Sequence, residues 1–331
     1  MSVDKKLFSA PKPKSGEPWD VAIIGSGPAS LTASIYTTRG AASTIIFAGS
    51  SWGGQLMLTT QVDNFPGFPE GIQGPELMQR MRKQAEKFGA LFIEKDVSRV
   101  DFSVTPKKIY VGDEEYLAKA VIIATGAQTK WLGVPGEERL RGRGISSCAP
   151  CDAPFFKGKK VAVVGGGDAA MEESLILTKY ANKVFIIHRR DQFRASFAMQ
   201  EKVFSLEKEG KIKIIWNKEV VSFIGKNKLE KVKLRDTKTG KLSEILLDGV
   251  FVAIGHTPAT SIFMDKLTLD EKGYIKTIPK LGFTTATNID GVFVAGDVHD
   301  FLYRQAITAS GFGCQAGMDV LKYLDKSTPS W

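Results

Sequence analysis

Cys148 and Cys151 are separated by Ala149 and Pro150, and Asp152 follows directly. Thiols at this spacing can form part of a metal site, a structural bridge, or a disulfide that opens and closes in catalysis. A structural zinc site needs a second such pair, or histidines, to complete its coordination. No second pair occurs. The remaining cysteine, Cys314, falls in an expected C-terminal helix, and His188 belongs to a basic cluster described below. A purely structural bridge closing so short a loop would constrain little unfolded-chain entropy. Redox chemistry is therefore the favoured reading. Asp152 suits an acid–base group that delivers a proton to a leaving thiolate; an aspartate there also suits a helix N-cap.

Two further patterns indicate what could exchange electrons with such a pair. "WDVAIIGSGPAS" is a short apolar strand, a tight turn holding Gly25 and Gly27, and the start of a helix, with Ser30 where a third glycine is usual. "KKVAVVGGGDAAMEES" repeats the pattern with Gly165, Gly167, Asp168 and Ala170. Glycines at these points let the backbone approach a pyrophosphate, and the helix N-terminus supplies amide donors and a favourable dipole. The strand after the second turn ends in His188, Arg189 and Arg190, with Arg194 close behind. A free ribose hydroxyl is met by an acid at that strand end, whereas arginines suit a 2′-phosphate through forked hydrogen bonds. The second fold is expected to take NADP. The first fold lacks both the arginines and the acid, and FAD is its expected nucleotide. Near the C-terminus "GVFVAGDVHD" brings a strand into Gly296 and Asp297, a pattern that in flavoproteins with two dinucleotide folds sets a carboxylate on the flavin's ribityl or phosphate portion.

The elements that position these residues follow. The fold class is α/β, with two Rossmann-like three-layer dinucleotide-binding domains and the NADP domain inserted into the FAD domain. Strands "AVIIATG" and "GVFVAIG" close the two halves, and the crossovers are placed near Gln128–Leu132 and His256–Thr260. The expected boundaries are 1–130 and 258–331 for the FAD domain and 131–257 for the NADP domain with the cysteine pair. "LMQRMRKQAEKFGA" reads as an amphipathic helix ending at Gly89, and the stretch from Lys202 to Ile245 as antiparallel strands with Asn and Gly turns.

The bulk numbers agree with an enzyme of this kind. The 331 residues are 43% hydrophobic and 24% charged, enough for two ordinary domains. No apolar run reaches the ~18 residues of a spanning helix. The N-terminus lacks the apolar core of a secretory signal and reads as a short flexible arm, so a cytoplasmic location is expected. The net charge of +9 suits an anionic nucleotide or an acidic protein partner. Basic residues are scattered and no nucleic-acid motif occurs, so neither nucleic acid nor membrane is an expected partner.

Taken in order and spacing, "GSGPAS", "GGQL", "DNFPGFPEGI", "IIATGA", "CAPCD", "GGGDAAMEES", "HRRDQFRAS", "GVFVAIGHTP", "GVFVAGDV" and "YRQAITASGFGC" resemble low-molecular-weight thioredoxin reductase over nearly the whole chain. The departures are Ser30, Pro150 inside the cysteine pair, "DAPFF" after it, and the aromatic end Trp331, whose sharper reading is a lid on the flavin. The resemblance implies an NADPH-dependent, FAD-containing thioredoxin-disulfide reductase, acting as a homodimer on thioredoxin or a thioredoxin-like protein. It implies that Cys148 attacks the partner disulfide and that Cys151, nearer the flavin, resolves the mixed disulfide. The inserted domain is expected to alternate between two orientations, because nicotinamide and cysteine pair must both reach the flavin. The expected FAD contacts are Gly25, Gly27, Gln55, Asn64, Thr125, Gly126, Asp297, Arg304, Gln305 and Ala306, with Arg304 and Gln305 opening the last helix. Cys314 is read as a small buried hydrophobe. Two other functions stay open on this scaffold: a flavin-dependent dithiol oxidase or reductase of another disulfide, and a non-catalytic flavin-binding redox sensor.

Overall fold

The computed structural model describes residues 12–59, 61–279 and 282–325. Most of the N-terminal arm and the Trp331 lid lie outside the described residues. The chain divides into two units. One comprises residues up to Gln128 and from Thr257 onward; the other is Thr129–His256. The joining segments, Ala127–Thr129 and His256–Pro258, are hydrogen-bonded partners in one two-stranded ladder. Ala259 N–H donates to Gly126 O at 3.0 Å and Lys130 N–H to Gly255 O at 2.9 Å, flanking that ladder.

The first unit is built on a mixed sheet. Strands Leu91–Ile93, Thr44–Phe47, Trp19–Ile24, Glu114–Ile123 and Val292–Val294 run parallel, while Lys107–Val111 and Arg99–Asp101 add an antiparallel edge. Val21, Ala22, Ile23 and Ile24 are all buried, as a strand covered on both faces requires. Helix α1 (Pro28–Arg39) opens with proline in its first turn, and α2 (Gly74–Lys87) buries Leu77, Met78, Met81 and Ala85 on one stripe. A Cβ on Gly313 of the last helix would run into the Ala29 backbone of α1, so glycine there lets the two helices approach closely.

The second unit begins with short helices α3 (Glu137–Leu140) and α4 (Ala149–Asp152), followed by α5 (Asp168–Leu177) and α6 (Phe197–Lys208). Its parallel sheet has the order Ile145–Ser146, Gly249–Ala253, Lys160–Gly165, Lys183–Ile187, Ile212–Ile215. A separate antiparallel ladder joins Lys218–Ile224, Lys231–Asp236 and Leu242–Leu246. The expectation of antiparallel strands from Lys202 onward needs correction. Residues 202–208 finish α6, where Met199, Val203 and Leu206 recur at helical spacing and Val203 is fully buried. Ile212–Ile215 then joins the parallel sheet. The long helix α7 (Ala306–Asp325) completes the first unit.

Candidate active site

In the first unit the strand Trp19–Ile24 runs into a turn that only glycine fits. Gly25 has φ +119°, and a Cβ there would collide with the Ala124 carbonyl oxygen. Gly27 precedes α1 with extended backbone and has no atom within 4 Å of where a Cβ would stand. Ser30, in the place of the third glycine, is fully buried and donates its hydroxyl to Gly25 O at 2.7 Å. The departure thus fastens the turn. Ser26 does the same from the other side: its hydroxyl donates to Ala48 O at 2.7 Å and accepts from Gly53 N–H at 2.9 Å. That brace carried no signal beyond a serine between two glycines.

The other expected flavin contacts gather in this unit from distant parts of the sequence. Asn64 Nδ2 donates to Gln305 Oε1 at 3.2 Å. Gln55 is exposed on the 3-10 turn Gly54–Leu58. Thr125 donates its hydroxyl to Ala259 O at 2.8 Å, and Gly126 takes φ +71°. Arg304 does not begin the last helix, which starts at Ala306; it sits before it with φ +49°. Asp300, buried and absent from the expected set, holds that bend. Its carboxylate accepts from the backbone N–H groups of Leu302, Tyr303 and Arg304 at 2.9, 2.9 and 3.1 Å. A D-x-x-x-R spacing ahead of a helix was the available signal.

Asp297 has its Oδ1 buried without a hydrogen-bond partner. Burial pushes its carboxyl up to about 7, with Asp300 adding to the shift and Arg304 opposing it. Nearby His299 has an unpartnered, buried Nε2, and burial lowers its imidazole to about 4. Glycine turn, open approach at Gly27 and an orphaned buried carboxylate oxygen fit a dinucleotide bearing a hydroxylated chain. FAD meets that description.

In the second unit, Cβ atoms on Gly165 and Gly166 would collide with Ala253 O and the His188 ring, whereas Gly167 faces open space ahead of α5. Asp168 is committed locally: Oδ1 accepts from Ser196 N–H at 2.8 Å and the Ser196 hydroxyl at 2.7 Å. His188 is only 7% exposed, its Nε2 lies 3.0 Å from Gln192 O, and its ring occupies the space where a Cβ on Gly166 would stand. It therefore braces the turn rather than reaching outward, and burial lowers its imidazole. Arg189, Arg190 and Arg194 are exposed, and Arg194 N–H donates to Gly166 O at 2.7 Å. Among the described residues none of the three guanidiniums is paired with a carboxylate. An open glycine turn beside three such arginines fits the pyrophosphate and 2′-phosphate of NADP.

The same unit carries the sulfur pair. Cys148 and Cys151 are joined in a disulfide, with Cα atoms 5.3 Å apart. Cys148 stands at the start of α4, and its carbonyl accepts from Cys151 N–H at 3.3 Å and Asp152 N–H at 3.1 Å. Asp152 makes no capping bond to the following 3-10 turn Ala153–Phe156. Burial raises its carboxyl, and a hydrogen bond from Ser146 partly opposes that. Among the described residues no cluster of ligands could hold a metal ion. Cys314 is half-buried rather than enclosed. It lies one step off the stripe of α7 that packs on α1, with its sulfur 3.9 Å from Met318 Sδ, and its nearness raises the Tyr36 phenol.

An internal disulfide beside a carboxyl raised by burial, in a chain with two dinucleotide-type turns, defines a disulfide oxidoreductase served by nucleotides. The chain belongs to the pyridine nucleotide-disulphide oxidoreductase family, which matches residues 19–313. It is 50% identical over 305 residues to the thioredoxin reductase of Mycolicibacterium smegmatis, covering 92% of this chain and 96% of that one. It is 47% identical over 310 residues to the thioredoxin reductase of Rickettsia conorii, covering 92% and 98%. Among solved structures, thioredoxin reductase from Giardia duodenalis superposes with a TM-score of 0.87 at 41% identity, covering 93% of this chain and 99% of that one. The resemblance read from the motifs, and the fold class with it, hold.

Proposed function

We propose that the chain is an NADPH-dependent reductase of oxidised thioredoxin that works through FAD and the Cys148–Cys151 pair. The observation that carries this reading is the company the disulfide keeps. It shares its unit with an open glycine turn and three arginines free of carboxylate partners, in a chain whose other unit has a second glycine turn and an orphaned buried carboxylate. Asp297, Gly25, Gly27 and the segment around Arg304 would hold FAD, and Gly165, Gly167 and the arginines would hold NADPH. FAD, when bound, supplies the two-electron relay between a pyridine nucleotide and a disulfide.

The protein's own residues do the rest. Once reduced, Cys148 as thiolate attacks one sulfur of the partner disulfide; the partner's other sulfur departs and takes the proton of Asp152. Cys151 then attacks Cys148, restoring the internal disulfide and releasing the partner's second sulfur. Because one unit carries both the nucleotide turn and the disulfide, we infer that it turns about its two paired connections between half-reactions. We infer also a cytoplasmic homodimer. Among the described residues no helix is long and apolar enough to cross a membrane.

Turnover of purified flavoprotein with NADPH and a thioredoxin tests the assignment. The expected result is NADPH oxidation that requires thioredoxin and disappears in Cys148→Ser. Thioredoxin-independent oxygen consumption would favour the dithiol oxidase, and protein that stays colourless after reconstitution with FAD would overturn the reading.

A further inference from the structure

The three outward arginines of the second unit lie on one irregular stretch, residues 189–196, between the strand Lys183–Ile187 and α6. Exposed side chains on such a stretch keep one arrangement only where the backbone beneath them is tied down. The middle is anchored by Phe193, which is buried and packs on Trp216 with ring centroids 4.3 Å apart, and by Arg194 N–H donating to Gly166 O at 2.7 Å. The far end is anchored by Ser196. Its backbone N–H and its hydroxyl both donate to Asp168 Oδ1, at 2.8 and 2.7 Å. Asp168 is the first residue of α5, directly after the open glycine at 167. This tie therefore fastens the arginine stretch to the nucleotide turn itself.

The sequence around both residues shows why the bond forms across helices. Ser196 is the N-cap of α6, yet its hydroxyl makes no capping bond to that helix. Three residues on, where a Glu or Gln would accept the N-cap N–H in a capping box, stands Met199. Asp168 supplies the missing acceptor from α5. Its place has a cost, because a carboxylate at a turn that receives a pyrophosphate repels that ligand. Holding the arginines is the compensating gain.

We propose that Asp168 and Ser196 form a latch that sets the preference for NADPH over NADH, acting as positioning residues that hold Arg190 and Arg194 ready for a 2′-phosphate. The proposal rests on the NADPH reading of the arginines and deepens it. Neither latch residue needs to touch the 2′-phosphate. Without the latch the guanidiniums are still present, but ordering them falls to the ligand, and the ordering entropy is subtracted from the affinity. Only a ligand that uses the arginines bears that loss. A ligand lacking the 2′-phosphate does not.

The test is calorimetric titration of the full-length flavoprotein, free of NADPH, with two fragments: adenosine 2′,5′-bisphosphate and adenosine 5′-monophosphate. The ratio of their dissociation constants isolates what the 2′-phosphate contributes. Asp168→Ala removes both latch bonds and should shrink the wild-type preference for the bisphosphate by about 10-fold. Ser196→Ala keeps the backbone N–H bond and should shrink it by about 3-fold. Asp168→Asn should retain most of it, because an amide oxygen accepts the same two bonds. In the Asp168→Ala background, Ser196→Ala should add nothing further. The sign separates the latch from a bare charge effect. Removing a negative charge near phosphates favours the ligand with more of them, so that effect alone would enlarge the preference. General damage to the fold would weaken both fragments alike and leave the ratio unmoved. An Asp168→Ala variant whose preference equals or exceeds that of the wild type would overturn the latch, as would an Asn variant as impaired as the Ala variant. Failure of the NADPH reading shows separately, as wild-type protein that binds the two fragments equally, and it would take the latch with it.

Discussion

Replacing Arg189 and Arg190 with alanine should convert a selective nucleotide site into an indifferent one. Both side chains are exposed at the end of the strand Lys183–Ile187, beside the turn that holds Gly165 and Gly167. Their backbone is held independently of their side chains. The Arg189 carbonyl accepts from the Thr237 hydroxyl at 3.1 Å, the Arg190 carbonyl from Asn217 N–H at 3.2 Å, and the His188 carbonyl from Lys218 N–H at 3.0 Å. The double variant therefore keeps the path of the strand end and loses only the guanidiniums. A charge-assisted contact to phosphate at a solvent-screened position is worth roughly tenfold in affinity, so two losses amount to about 100-fold. Arg194 is left in place, which keeps part of the phosphate site. The assay is anaerobic reduction of the flavin by NADPH and by NADH, followed as bleaching of the yellow band, with KM determined for each in turnover. The expected outcome is a KM for NADPH raised by about 100-fold, an unaltered KM for NADH and an unaltered kcat. An equal loss with both donors would mean that the arginines act on the fold or on the shared part of the nucleotide. An unchanged KM for NADPH would refute the phosphate assignment outright.

Three other outcomes follow from the same geometry. Gly25→Ala, forced to φ +119° against the Ala124 carbonyl, should yield protein with little or no bound flavin, measured by absorbance after FAD is added and excess removed. In the wild type the transfer from dithiol to an alkyl disulfide should decline as pH rises through the raised pKa of Asp152, since the acid form is the donor. Asp152→Asn should lack that decline and run roughly 10²–10⁴-fold slower, with flavin reduction by NADPH unimpaired. Asp319→Ala should destabilise the first unit by about 2–4 kcal/mol in urea denaturation, because it strands buried donors. The carboxylate accepts from Thr284 N–H at 2.8 Å, Thr285 N–H at 2.9 Å and the Thr285 hydroxyl at 2.8 Å.

Local chemistry was legible in the sequence where the reason for a residue lies within its own turn. Gly25 and Gly165 are dictated by a strand-to-helix turn that leaves no room for a Cβ, and "CAPCD" points to redox chemistry once the chain is seen to offer no second ligand pair. Side-chain direction was not legible. His188 lies beside three outward arginines, yet its ring is folded under the Gly166 backbone, and only the tertiary packing of Phe193 and Trp216 against it explains why. Long-range pairs were equally silent: Asn64 and Gln305 meet across 241 positions. The strand reading of residues 202–208 failed because Phe204 and Leu206 alternate over too short a window. Extending it back to Met199 restores the helical period.

The chain departs from its first unit and returns to it on neighbouring strands of a single ladder, so Gln128 and Thr257 stand roughly one inter-strand spacing, about 5 Å, apart. That makes Thr129–His256 a cassette. Excising it and closing the gap with a tight hairpin should leave a flavin scaffold whose remaining sheet loses no strand, and the excised piece, joined end to end, could be grafted into another host loop of matching span.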